Sequence, residues 1–173
     1  EVKAARNFIG LLRERRPELQ LVVSSTTPNG HQVARQEHPD LPVVFYPLDL
    51  GPCPARAIER LRPRCVLLME LEIWPNFLQA CHRRGIPVAV INGRISERTF
   101  RGYRLARGLL PQLDLITTYC VQDRVYRQRL LDLGVDEARV HVTGNMKYDS
   151  VVMGEQAGSG PLRRWLSADG RLV

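Results

Sequence analysis

Six short apolar runs, each separated from the next by a stretch of helical period, constrain this chain more than any other feature. The runs are Leu21 to Ser24, Val43 to Tyr46, Cys65 to Met69, Val88 to Ile91, Leu115 to Thr118 (reaching at most to Val121) and Val140 to Val142. Helical segments are expected at Val2 to Arg16, Gly30 to Glu37, Pro54 to Leu61, Pro75 to Arg84, Glu97 to Leu109 and Asp123 to Leu133. Strands and helices in this alternation need crossover connections, which predicts an α/β fold with a parallel sheet and helices on both faces. Runs such as Val66-Leu67-Leu68-Met69 fit strands covered on both sides. Gly85 and Gly134 follow helices and precede strands, where left-handed caps belong. Pro17, Pro63 and Pro87 stop helices or open strands.

The pattern ends after Asp149. Residues 150–161 carry Gly154, Gly158, Gly160 and Pro161 with no apolar period, as a linker does. Leu162 to Leu166 fits one short helix before a further strand. The expected organisation is a single domain over 1–149, with a linker and the start of a second domain over 150–173. The chain opens at Glu1 without Met and stops at Arg171-Leu172-Val173, so a fragment is expected. Nothing resembles a secretory signal, and no apolar run nears the roughly 18 residues of a membrane span.

Charge narrows the partners. The chain carries 25 basic against 18 acidic residues, a net +7, and 23 of the basic residues are Arg. An anionic partner follows: nucleic acid, phospholipid or a phosphorylated substrate. The cysteines at 53, 65, 81 and 120 form no C-x-x-C pair and have no His at zinc spacing; Cys65 and Cys81 read as small core residues. A reduced, cytoplasmic chain is the simplest expectation.

Ligands of an open parallel sheet bind beyond the C-terminal strand ends. There the chain places Ser24 to Gly30, Pro47-Leu48-Asp49, Glu70 to Asn76, Asn92 to Ser96, Gln122-Asp123 and Thr143 to Asp149, all polar turns. No G-x-G-x-x-G, P-loop or G-x-S-x-G pattern occurs, which removes dinucleotide, P-loop and nucleophile-elbow chemistry. No D-x-D pair is present to hold a metal against a nucleotide diphosphate. Glu70 sits at the crevice lip, and strand alternation puts Glu72 on its side. Two such carboxylates suit acid–base work if buried; alternatively, Glu72 caps the helix starting near Pro75. Ser25-Thr26-Thr27 reads either as a helix cap or as an anion or sugar contact at that helix start. Trp74 reads as a packing residue. Arg94, Arg98, Arg101, Arg104 and Arg107 face one acid, Glu97, and the first four share one side of a helical wheel. That is a basic stripe, or simply a solvated face.

Glu70-Leu71-Glu72-Ile73-Trp74-Pro75-Asn76, Ile91-Asn92-Gly93-Arg94-Ile95-Ser96, Asp114-Leu115-Ile116, Val121-Gln122 and Thr143-Gly144-Asn145-Met146-Lys147-Tyr148-Asp149 occur in that order. Together they make the chain resemble the 3-deoxy-D-manno-octulosonic acid (Kdo) transferases of Gram-negative lipopolysaccharide synthesis. The resemblance implies the Rossmann-like N-terminal, acceptor-side half of a GT-B glycosyltransferase. It implies inverting transfer of Kdo from CMP-Kdo to a hydroxyl of the lipid A precursor, with no cofactor and no essential metal. The family's catalytic Glu ends an S-[VA]-G-E motif, onto which Glu1 maps by its right-hand context, Val2 and Ala4-Ala5. Glu1 is thus the implied general base and Glu70 a second essential carboxylate. Arg94, Ser96 and Arg98 would bind acceptor phosphate, with Thr26 and Thr27 as further substrate contacts. Asn145, Lys147 and Asp149 would line an interdomain cleft. Leu71 departs from a common Thr, and Thr117-Thr118-Tyr119 from a more apolar strand. The expected partners are CMP-Kdo, the lipid A precursor and the anionic inner-membrane surface on its cytoplasmic face, with no nucleic acid. Without a donor-binding domain these 173 residues are expected to be inactive. The rivals are a GT-B enzyme using a UDP-sugar and a non-enzymatic polyanion-binding module.

Overall fold

The computed structural model describes residues 2–106 and 111–146. Two compact units divide them, one holding residues 2–48 and Met146 and one spanning Asp49–Asn145. Every strand pair is parallel, as the alternation of runs requires, and the strands form a two-stranded and a four-stranded sheet. This is the Rossmann-like α/β class.

The first unit holds α1 (Val2–Arg15), β1 (Val23–Ser25), α2 (Pro28–Glu37) and β2 (Val43–Phe45). Phe8 and Leu12, four residues apart, give α1 its buried stripe, and α2 contributes buried Ala34. The two helices pack on each other. Pro28 opens α2, where its missing N–H leaves no unpaired donor, and the Thr27 hydroxyl accepts from the Gly30 N–H at 3.0 Å. The crossover returns the chain so that Val23 lies opposite Val43 and Ser25 opposite Phe45. Arg6 reaches Glu37 at 3.3 Å. Arg13 pairs with Asp40 and holds its carboxyl below the usual carboxylate range.

The second unit holds α3 (Cys53–Leu61), β3 (Val66–Met69), α4 (Pro75–His82), β4 (Val88–Gly93), α5 (Glu97–Leu105), β5 (Thr118–Val121), α6 (Arg124–Asp132) and β6 (Val140–Val142). Its strands lie in chain order, β3-β4-β5-β6. Val88, Val90, Ile116, Tyr119, Val121 and Leu130 are almost wholly buried. Each large apolar side chain so buried contributes roughly 1.5–3 kcal/mol. Tyr119, the departure from an apolar strand, is accommodated because its hydroxyl donates to the Leu113 carbonyl at 2.7 Å. Gly85 and Gly134 take φ of +65° and +79°, the left-handed caps expected of them.

Two local expectations fail. The run at Leu115 to Thr118 is not a strand start: Pro111–Leu115 is a 3₁₀ turn, and β5 begins at Thr118. Buried Leu113 and Ile116 are three residues apart, a tight-turn spacing that a short apolar run does not distinguish from a strand. Cys65 is exposed, because β3 starts one residue later; Cys81 is the buried one. Burial pushes the Cys81 and Cys120 thiols up to about 11, which leaves them unreactive near neutral pH. α5 ends at Leu105. The expected continuation at 107–109, the linker and the short helix at 162–166 lie outside the described residues. Among the described residues no helix is long and apolar enough to cross a membrane.

Candidate functional site

The C-terminal ends of β3 and β4 bring two of the expected site residues together. Glu70 follows β3 directly, and its N–H still donates to the Ile91 carbonyl at 2.9 Å. Its φ is +61°, so the chain turns left-handed at this residue and strand alternation stops. A left-handed conformation in a non-glycine residue costs about 1–2 kcal/mol. The side chain, 18% exposed, meets Arg94 Nη2 at 3.3 Å, and Arg94 is 53% exposed. A pair this wet is worth at most about 1 kcal/mol. Arg94 therefore remains accessible for an anionic ligand.

Glu72 does not cap α4. Its Oε2 accepts from the Trp74 indole N–H at 3.0 Å. The alternation that would have paired the two acids ended at Met69. The cap on α4 comes from Asp49, 28 residues before Phe77. Its carboxylate accepts the Asn76 N–H at 3.0 Å and the Phe77 N–H at 2.7 Å, while its carbonyl accepts from Asn76 Nδ2 at 2.6 Å. Asp49→Ala is expected to destabilise the chain by up to about 2 kcal/mol, the upper range for a lost cap. A chain of this size should then melt lower by about 2–4 °C per kcal/mol. Glu72→Ala should shift the calorimetric midpoint by less than half as much. The reverse order would return the cap to Glu72.

A bulge at the end of β4 shapes the turn that carries Arg94. Val90 pairs with Tyr119 and Gly93 with Val121, so β4 spends three steps where β5 spends two. Asn92 lies in the extra step, with φ +54° and 2% exposure. Gly93 is held so closely that a Cβ there would stand 3.1 Å from Val121 Cγ1 and 3.2 Å from the Cys120 carbonyl oxygen. Gln122 pins both residues: its N–H donates to the Gly93 carbonyl and its Nε2 to the Asn92 carbonyl, each at 3.1 Å. Further along, Arg129 of α6 donates to the Ile95 carbonyl and pairs with Glu97 at 2.7 Å.

The other expected residues fall into three groups. Ser96 is the N-cap of α5, its hydroxyl accepting from the Thr99 N–H at 3.1 Å, which places it beside Arg94 but commits it to the helix. Thr27 is likewise the cap of α2 in the first unit, and Thr26 is exposed next to it. Arg98 is exposed on α5, and Asn145 is half-buried three residues after β6. Glu1, Lys147 and Asp149 lie outside the described residues. Among the described residues no group of His, Cys, Asp or Glu could hold a metal ion.

α5 begins at Glu97, so Arg94 lies in the strand-end turn where the sequence put it, and Arg98, Arg101 and Arg104 are the arginines of the stripe on the described helix. Arg101 pairs with Glu97 at 3.0 Å, and Arg104 lies over the Phe100 ring, 5.6 Å from its centre. At 3.6 residues per turn, Leu105 falls between Arg98 and Arg101, and it is 91% exposed.

Asp49, Asn92, Gln122 and Arg129 were not singled out as site residues from sequence. For Asn92 a signal existed: Asn-Gly is a strong left-handed turn dipeptide. Asp49 and Gln122 stood in polar strand-end turns, but their partners are 27 to 30 residues away.

The chain is a Rossmann-like α/β domain with an acid and an arginine paired at adjoining strand ends, the end at which open parallel sheets bind their ligands. The family model for 3-deoxy-D-manno-octulosonic-acid transferase (kdotransferase) matches residues 1–150. The chain belongs to that family of glycosyltransferases. It is 32% identical over 153 residues to the 3-deoxy-D-manno-octulosonic acid transferase of Chlamydia trachomatis serovar D, covering 85% of this chain and 35% of the relative. The Haemophilus influenzae enzyme of the same name is 30% identical over 151 residues, 86% of this chain and 35% of that one. The Bordetella pertussis enzyme is 30% identical over 183 aligned positions, 100% of this chain and 41% of that one. The chain thus spans little more than a third of the length of these curated relatives. Among solved structures, a Listeria monocytogenes protein assigned as a UDP-N-acetylglucosamine 2-epimerase matches with a TM-score of 0.59. It is 13% identical, over 94% of this chain and 47% of its own, and so shares the fold.

Proposed function

We propose that residues 1–149 are the acceptor-side half of a GT-B enzyme that moves Kdo from CMP-Kdo to a hydroxyl of the lipid A precursor. Residues 150–173 would lead into the half that binds the donor. The observation that carries this is the Glu70–Arg94 pair at the strand ends of a Kdo transferase family member. In the proposed reaction a carboxylate takes the acceptor hydroxyl's proton as that oxygen attacks the anomeric carbon of Kdo. The bond to CMP breaks with its electron pair leaving on the phosphate, and the configuration inverts. Glu1 is the proposed base. Glu70 is the second essential carboxylate or the group that orients the base, and Arg94, with its guanidinium half in water, binds an acceptor phosphate. Arg98 adds positive charge nearby in sequence, while Asn145, Lys147 and Asp149 face the donor half. Because Ser96, Thr26 and Thr27 stand at helix starts, their contribution would be backbone N–H groups aimed at an anion.

The test is transfer by the full-length protein, supplied in parallel with CMP-Kdo and with UDP-sugars on lipid A precursor. Kdo addition from CMP-Kdo is the expected outcome. Transfer from a UDP-sugar with none from CMP-Kdo would replace the reading. The 173 residues alone should transfer nothing.

The acceptor is a phosphorylated lipid, so the reading also places the protein at the cytoplasmic face of the inner membrane, held there peripherally or by a segment upstream of Glu1. Arg98, Arg101 and Arg104 with exposed Leu105 offer a basic surface carrying an apolar residue. Each Arg near an anionic bilayer contributes about 1 kcal/mol, and Glu97 offsets part of the charge of Arg101. Changing the three arginines to Gln should lower binding to anionic liposomes at least about tenfold at low salt. Acceptor KM should rise and donor affinity hold. Unchanged co-sedimentation would leave the stripe a solvated face.

A further inference from the structure

We propose that Gln122 is a positioning residue for the reaction: through the Asn92 bulge it sets the place of Arg94 opposite Glu70. The inference rests on the reading of Glu70 and Arg94 as acceptor-side groups and adds the element that holds them.

The turn from β4 to α5 has to do two things that regular backbone does not. It must leave the strand in a left-handed step at Asn92, a residue type that enters that region more readily than any but glycine and yet needs its surroundings to hold it there inside a strand. It must also aim Arg94 back toward Glu70, which follows the neighbouring strand in register, Met69 lying opposite Ile91. A left-handed non-glycine residue persists only where its surroundings over-determine it, and here they do. The Gln122 main chain continues the ladder to Gly93, and its side chain donates to the carbonyl of the strained residue itself, at 3.1 Å. Val121 Cγ1 and the Cys120 carbonyl would stand 3.1 and 3.2 Å from a Cβ at Gly93, so a side chain there would press its neighbours aside by a few tenths of an ångström. Beyond Arg94, the turn is tied down again at Ile95 by Arg129 and at Ser96 by the α5 cap. Arg94 thus sits between two fixed points, while its own ion pair is too wet to fix it. The rigidity comes from the bulge, and the Gln122 side chain bonds the bulge backbone at Asn92.

Gln122 has a carboxamide when a plain polar strand end would do, because the job needs a donor at that reach. Its Oε1-for-Nε2 neighbour in shape, glutamate, would present an acceptor to the Asn92 carbonyl and push the turn away.

The experiment is a double-mutant cycle in the full-length protein, with transfer as the readout. Gln122→Met keeps the length of the side chain and removes the donor. It should raise acceptor KM about ten- to hundredfold, the effect of a misplacement near 1 Å. Donor KM should be unchanged. Gln122→Glu, of the same shape, should give the same loss and covers any packing disturbance by Met. In the Arg94→Gln background, either change should add less than about twofold, because the group it positions is gone. Losses that multiply instead, or a fall in thermal midpoint with acceptor KM unmoved, would overturn the positioning role and leave Gln122 a structural residue. If Arg94→Gln alone left acceptor KM unaltered, the acceptor-side reading itself would fail, and the inference with it.

Discussion

Replacing Glu70 by Gly is expected to leave the chain as stable as before, or slightly more so, while transfer by the full-length protein falls at least about 100-fold. Glu70 holds a φ of +61°, which glycine adopts without strain. Relief of a left-handed Glu is worth about 1–2 kcal/mol. Against that stand about 0.4–1 kcal/mol for the freer unfolded glycine chain and at most about 1 kcal/mol for the half-solvated bond to Arg94. The terms largely cancel, leaving a net change of about 1 kcal/mol or less either way, with the favourable side slightly wider. A residue kept in a strained conformation that its replacement would relieve is held there for its side chain, the usual trade between stability and activity. Glu70→Gln keeps the strain and the shape, so it should match the wild type in melting and match Gly in lost activity. Calorimetry and initial rates on the three proteins check both halves. A midpoint lowered by several degrees in the Gly variant would make Glu70 a structural residue. Retained transfer in both variants would remove it from the site.

Glu1→Gln should abolish transfer in the full-length protein, with CMP-Kdo binding intact. A positioned base contributes about 10²–10⁴-fold in rate, and Gln keeps the volume of Glu without its basicity. The loss should fall on kcat and kcat/KM alike, because proton removal occurs only in the transition state. If the variant kept more than about a tenth of the wild-type kcat, the base would be Glu70 and the two carboxylates would exchange roles. The two experiments therefore read as a pair. Glu70→Gln with a larger loss in kcat than Glu1→Gln reverses the assignment.

Much of the fold could be read directly from the chain, because parallel strands and crossover helices write themselves in local periodicity. β6 is found where it was expected, at Val140–Val142, and α2 and α6 differ from expectation only at their ends. The left-handed caps at Gly85 and Gly134 could be named because glycine is the residue that enters that region freely. The strand-end turns that hold Glu70, Arg94, Asp49 and Gln122 could all be found, since a parallel sheet directs polar groups to that end.

What local pattern could not supply was who meets whom. Period-two alternation, carried past Met69, paired Glu70 with Glu72; the left-handed step at Glu70 ended that alternation and sent each acid to its own partner. The α4 cap was sought among neighbours of Pro75 and came from Asp49, because folding, not sequence distance, brought a carboxylate to those N–H groups. The turn position of Arg94 was legible, but that it faces Glu70 was decided by the Asn92 bulge. The sequence by itself determined the parallel α/β class, the start of α5 at Glu97, the strand-end location of the polar turns and the motifs that carry family membership. Only the tertiary structure decided the Glu70–Arg94 pair, the Asp49 cap and the Gln122-pinned bulge. Each depends on residues 24 to 30 positions apart, and that is a distance over which packing, rather than any local rule, chooses the partner.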